Sequence, residues 1–177
     1  MGASDSPRLR QLVDGHAQAV ESYLRRRLLW LPPADIDDLV DETFVVLWRR
    51  LSDVPEGDAE RPWVIGVARH VLHNALRSSR RRIAREARVP RVHSAPSAED
   101  EAVINLAAEE AWHRLGEADR EVLSLHFWDG IDLSGLASVL GISYTAANAR
   151  LSRARSRFEA LLRTAPMDVQ PEAGADT

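Results

Sequence analysis

Residues 132–157, DLSGLASVLGISYTAANARLSRARSR, carry the most specific spacing in the chain. Asp132 can cap a short helix whose Leu136, Val139 and Leu140 face inward, and Ala137 is small enough for two helices to cross closely. Gly141, four residues later, supplies a positive-φ turn, and Ile142 plugs the corner. The helix that follows presents Thr145, Asn148, Ala149 and Ser152 with Arg150, Arg153 and Arg157. Short polar side chains near its start suit base edges, and arginines recurring along one side suit phosphates. The chemistry is that of a helix-turn-helix reading DNA. A helical hairpin with a solvated basic face is the plainer alternative.

A second basic element lies at 62–88. On a helix, Arg77, Arg81, Arg85 and Arg88 fall within an arc of about 80°, with Arg80 beside it. The half before them is apolar and holds Trp63, His70, His73 and Asn74. Aromatic groups followed by a cationic stripe fit single-stranded or melted nucleic acid, where bases stack and phosphates need cations. His70 and His73 are spaced to share a metal, but their neighbours are arginines and no third ligand is near, so no metal is expected. Asp35, Asp37, Asp38, Asp41 and Glu42 suit a helix N-terminus better than a cation site. Phe44, Leu47 and Trp48 follow them, more apolar surface than one helix face needs. The pattern describes a protein-docking helix, with Trp48 as plain core the equal alternative.

The elements that must position these residues are helical. Apolar residues recur every three or four positions, and no alternating run is bounded by hairpin turns, so the fold is expected to be all-α. A first helix begins at Ser6-Pro7 and carries Leu9, Leu12, Val13, Val20, Tyr23 and Leu24 toward Trp30. A second runs from near Asp35 to Leu51. After a loop at 52–60, Pro62 opens a third that continues to Val89-Pro90. Residues 92–104 read as a linker. Segments at 101–115, 118–128, 133–140 and 144–163 follow, and 164–177 read as a mobile tail. The expected organisation is two small helical domains, 1–91 and 105–163.

Composition narrows the function. The 177 residues contain no cysteine and no lysine, all 23 basic residues being arginine, which excludes thiolate metal sites, cysteine nucleophiles, Schiff bases and P-loop chemistry. No Walker, serine-elbow, zinc-protease or dinucleotide motif occurs, so neither enzymatic activity nor a cofactor is expected. The net charge of −4 is strongly segregated: residues 69–91 carry +7 and 143–163 carry +4, against −7 over 32–60 and −6 over 94–121. Two basic blocks between acidic ones suggest two nucleic-acid contacts and an acidic surface for another partner. No signal peptide or spanning segment is recognisable, so a cytoplasmic protein is expected, without membrane insertion.

Three blocks together resemble the bacterial extracytoplasmic-function (ECF) sigma factors: IDDLVDETFVVLWRRL (36–51), RPWVIGVARHVLHNALRSSRRR (61–82) and LGEADREVLSLHFWDGIDLSGLASVLGISYTAANARLSRAR (115–155). The resemblance implies a non-catalytic subunit of RNA polymerase that directs the core enzyme to promoters and assists melting. Core polymerase would be bound by Asp38, Leu39, Asp41, Glu42, Phe44 and Trp48. The −10 element would meet Trp63, Val67, His70, Asn74, Arg77, Arg80 and Arg81, with a flipped base held by the 52–61 loop, Val67 and His70. The −35 element would meet Thr145, Ala146, Asn148, Ala149, Arg150, Arg153 and Arg157. Family members are often held by an anti-sigma factor, which would be a further partner. The sequence departs from the family at His70, usually Asn, at Asn74, usually Asp, and over 145–150, often GTVKSR. A DNA-binding regulator acting without polymerase and a helical protein-binding adaptor are the competing readings.

Overall fold

The computed structural model describes residues 5–28, 36–86 and 104–164. Among them are seven α-helices: α1 (Asp5–Leu28), α2 (Ile36–Arg49), α3 (Glu60–Glu86), α4 (Ile104–Arg114), α5 (Glu117–Phe127), α6 (Leu133–Leu140) and α7 (Tyr144–Thr164). The described residues contain no strand. Most boundaries follow local chemistry. Pro7 and Pro62 sit in first turns, where a missing N–H costs nothing. Asp37 and Asp38 open α2, and Glu117 and Asp119 open α5, next to the positive end of the helix dipole. The expected loop at 52–60 contains two single 3-10 turns, Leu51–Asp53 and Gly57–Ala59, the second leading directly into α3. Ile104, assigned above to the linker, already begins α4. The remaining linker residues, Trp30 and the tail from 165 lie outside the described residues.

Helices α1, α2 and α3 pack on one another. Their core is built from Leu12, Val20, Tyr23 and Leu24 of α1, Leu39 and Leu47 of α2, and Val64, Ile65, Ala68, Val71 and Leu72 of α3. Thr43 is buried among them, and its Oγ1 donates to the Leu39 carbonyl at 2.7 Å, which satisfies a hydroxyl that would otherwise be costly there. Helices α4 to α7 form the second group around Leu115, Val122, Leu125, Ile131, Leu136, Ala147, Leu151 and Ala154. Trp112 anchors it, edge-on to Trp128 at 4.6 Å and to Phe158 at 6.1 Å. The two groups are packed together, α3 against α6. Gly135 makes that approach possible, because a Cβ there would stand 2.9 Å from Cγ of Pro62 and 2.7 Å from Cγ2 of Ile131.

Glu60 ties the start of α3 to α1. Its carboxylate accepts from the Arg8 guanidinium and meets His16 Nε2 at 2.7 Å. Burial raises its pKa, but the bonds to His16 and Arg8 outweigh this and hold it below the ordinary carboxylate range. A lowered folded-state pKa contributes stability above the unfolded value that is lost as pH falls through the folded one. Glu60→Gln is therefore expected to lower stability near pH 7 by about 1–2 kcal/mol. The difference from the parent should shrink as pH drops below 4.5, the ordinary glutamate value. Thermal melts of both proteins across that range check it.

Candidate nucleic-acid interface

The turn between α6 and α7 is fixed at both ends. Asp132 caps α6, its Oδ1 accepting from the Gly135 amide at 2.7 Å. Beyond Leu140, Gly141 adopts φ +65°, its N–H donates to Ser138 and the Ile142 N–H donates to Ala137. This pair of bonds closes a Schellman turn, which requires the left-handed residue that glycine adopts without strain. Ser143, unremarked in the sequence, caps α7 through its Oγ to the Ala146 amide at 3.2 Å. With Ala147, Leu151 and Ala154 buried at i, i+4 and i+7, the opposite face of α7 is set.

That face exposes Thr145, Ala146, Asn148 and Arg153, while Ala149 and Arg150 are half-buried. Arg157 behaves differently from the expected phosphate contact: its Nη1 donates to Asp119 Oδ2 at 2.7 Å, and that carboxylate is 13% exposed. The pair clamps α7 onto α5. Arg155, also unremarked, lies over the Phe127 ring at 4.9 Å.

On α3, His70, Asn74 and Arg77 are exposed along one face. Val67 belongs to the core instead, 8% exposed, so it is not free to wall a base pocket in this arrangement. Trp63 is half-buried against the core, with the Arg50 guanidinium 5.4 Å from its ring centre. The side chains of Arg80 and Arg81 lie outside the described residues, although the helix runs through them. His73 lines a cavity between the two helical groups, where burial and then the Arg69 charge depress its pKa.

Helix α2 offers a different surface. Asp38, Asp41 and Glu42 are exposed, and beside them stand Val45, 41% exposed, and Trp48, 43% exposed. The spacing places all five on one stripe. Leu39, expected here, is buried in the core, and Phe44 is half-buried at the edge. Val45 was not singled out in the sequence, although it lies four residues from Asp41 and three from Trp48. Trp48 is thus surface, not core.

Comparison with known proteins covers both groups of helices. Residues 12–82 match sigma-70 region 2, and residues 106–158 match sigma-70 region 4. The RNA polymerase sigma factor NccH of Alcaligenes xylosoxydans xylosoxydans is 28% identical over 162 residues, 87% of this chain and 86% of that protein. The RNA polymerase sigma factor CnrH of Cupriavidus metallidurans is 29% identical over 164 residues, 86% of this chain and 85% of its own. Among solved structures, CnrH in complex with the cytosolic domain of CnrY aligns at TM-score 0.58 and 26% identity, covering 89% of each chain. The sigma factor RpoE bound to the anti-sigma factor NepR, from Bartonella quintana, shares the fold at TM-score 0.66 and 20% identity, covering 89% of this chain and 98% of that one.

The contrast between Arg157 and Arg153 is testable. Removing Arg157 strands the mostly buried Asp119 carboxylate, so Arg157→Ala should cost about 1–3 kcal/mol of stability. Arg153→Ala removes an exposed charge and should stay within about 0.5 kcal/mol of the parent. Urea titrations followed by circular dichroism decide between equal and unequal losses.

Proposed function

Because the chain belongs to the sigma-70 family, as an RNA polymerase sigma factor of the ECF type that directs core polymerase to promoters, we propose how its own surfaces divide that task. Residues 1–91 dock on core polymerase through the α2 stripe of Asp38, Asp41, Glu42, Val45 and Trp48, with Phe44 at its edge. The observation that carries this is the exposure of an aromatic and an aliphatic side chain beside three carboxylates. Such a mixed patch suits a partner surface that offers cations around an apolar centre. Leu39 supports the stripe from inside. His70, Asn74 and Arg77 meet the −10 element, with Arg80 and Arg81 farther along the same helix.

In the C-terminal unit, the first turns of α7 read the −35 element. Thr145, Ala146 and Asn148 reach base edges, and Arg150 and Arg153 hold phosphates. The family's work is non-catalytic. This chain contributes recognition and melting, while polymerase performs the chemistry in the cytoplasm where it works. Among the described residues, no helix is long and apolar enough to cross a membrane. Both solved relatives described above were captured with a second protein, NepR in one case and the cytosolic domain of CnrY in the other. An inhibitory partner of the anti-sigma kind is proposed for this chain by that likeness.

Run-off transcription with purified core polymerase on promoter-bearing fragments tests the assignment. Trp48→Ala and Asp41→Arg should each abolish most product and weaken co-precipitation with core, with melting temperatures near the parent's. Unchanged polymerase binding by folded variants would refute the docking stripe. On the DNA side, Arg153→Ala should weaken binding alike on promoter and scrambled duplex and reduce the salt slope by about one unit. Asn148→Ala should instead change preference at one base pair by about 1–3 kcal/mol with the slope intact.

A further inference from the structure

The seam between the two helical groups holds a cavity of about 250 Å³. Leu72 and Leu76 of α3, with Trp112 and Trp128 of the C-terminal unit, give it apolar walls. Glu117 and Trp128, both exposed, stand at its mouth. Ser124 of α5 lies inside, 6% exposed, and its hydroxyl has no hydrogen-bond partner among the described residues. Thr43 shows the contrast, since its buried hydroxyl returns to the carbonyl four residues before it. An unpaired hydroxyl on an apolar wall is the kind of polar anchor that orients a small molecule in a pocket. His73 shares the wall. Burial, and then the Arg69 charge, lower its pKa, which keeps the imidazole neutral near pH 7 and able both to donate and to accept.

The charges around the cavity do not balance. Glu121 is paired with Arg69 at 2.9 Å. Glu117 stands three residues from Arg120 on the same helix, within reach of its charge. Arg26 and Arg27, at the end of α1, share one carboxylate, that of Asp129, which is 2% exposed. Arg26 Nε and Arg27 Nε and Nη2 are buried with no partner among the described residues. One guanidinium charge is thus left over beside the cavity. In an apolar surrounding that charge is weakly screened, and it favours an anion within.

We propose that this cavity is a binding site for an aromatic monocarboxylate. The ring lies among Leu72, Leu76, Trp112 and Trp128, and the carboxylate accepts from the Ser124 hydroxyl in the field of Arg26 and Arg27. The size agrees. A dry apolar cavity of about 150 Å³ already holds benzene, so this one has room for a ring with a short side chain. Water is the poorer occupant, because it needs about two to four polar partners and most of this wall offers none. An amine would meet the surplus positive charge, and a dicarboxylate would bring more charge than is left uncompensated. The site needs neither polymerase nor DNA, so it stands apart from the transcriptional role.

Isothermal titration calorimetry of the full chain with cinnamate tests it, with cinnamamide as the uncharged isostere. Cinnamate should bind saturably at one site per chain, and cinnamamide about tenfold more weakly. Ser124→Ala should weaken cinnamate binding about tenfold as well, because it removes the donor to a charged group. Leu76→Trp fills the cavity from one wall and should abolish binding, with circular dichroism and melts reporting whether the fold persists. In proton–nitrogen NMR spectra of the parent, the indole N–H signals of Trp112 and Trp128 should move on titration, while that of the exposed Trp48 stays in place. If Leu76→Trp fails to fold, Ser124→Ala and the indole signals still decide. Equal affinity for cinnamate and cinnamamide would overturn the proposal. So would the absence of saturable binding, or an affinity untouched by Ser124→Ala.

Discussion

Helix α3 must satisfy three neighbours with one circumference, and this division organises everything around it. At about 100° per residue, Val64, Ala68, Val71 and Leu72 occupy one sector, turned toward the core with α1 and α2. Pro62, Gly66, Arg69 and His73 recur within an arc of about 60° and form the seam. His70, Asn74 and Arg77 occupy the remaining arc and stay exposed. A substitution on α3 should therefore be read first by its angle: the same chemical change alters the core, the contact with the C-terminal helices or the exposed face at successive positions.

That division explains why the sequence revealed the elements better than the duties of single residues. Helix type and order were legible because apolar periodicity and the punctuation by Pro7, Pro62, Gly116 and Gly141 act locally. The turn after α6 was legible in detail, since Asp132, Gly141 and Ile142 depend only on near neighbours. Arginine was where local reading was least complete. Within the two basic blocks that read as nucleic-acid surface, Arg69 pairs with Glu121 and Arg157 with Asp119, while Arg26, Arg27 and Arg61, which no local pattern marked, all meet Asp129. The guanidinium fork suits carboxylate and phosphate alike, so residue type does not separate the two uses. Their partners are 38 to 103 residues away, beyond any local pattern.

Leu39 and Val67 show the same limit for apolar residues. Each lies on the motif that marks its helix, and each turns into the core, because a helix that carries a binding face must also be anchored by its other one. Val45 and Trp48 were the informative exceptions. Isolated exposed apolar residues are ordinary on protein surfaces, but two on the acidic stripe of a short helix leave a patch that water wets poorly.

The seam joins these arguments because of the kind of contact it uses. A purely apolar interface gains from every buried area and resists opening in proportion. Buried ion pairs differ: the Coulomb attraction is set against the cost of stripping water from both partners, and separation returns that hydration to each. Asp129 and its three arginines therefore specify where the units meet more strongly than they hold them there. The Gly135 contact works in the same direction, fixing by shape how closely α3 and α6 approach.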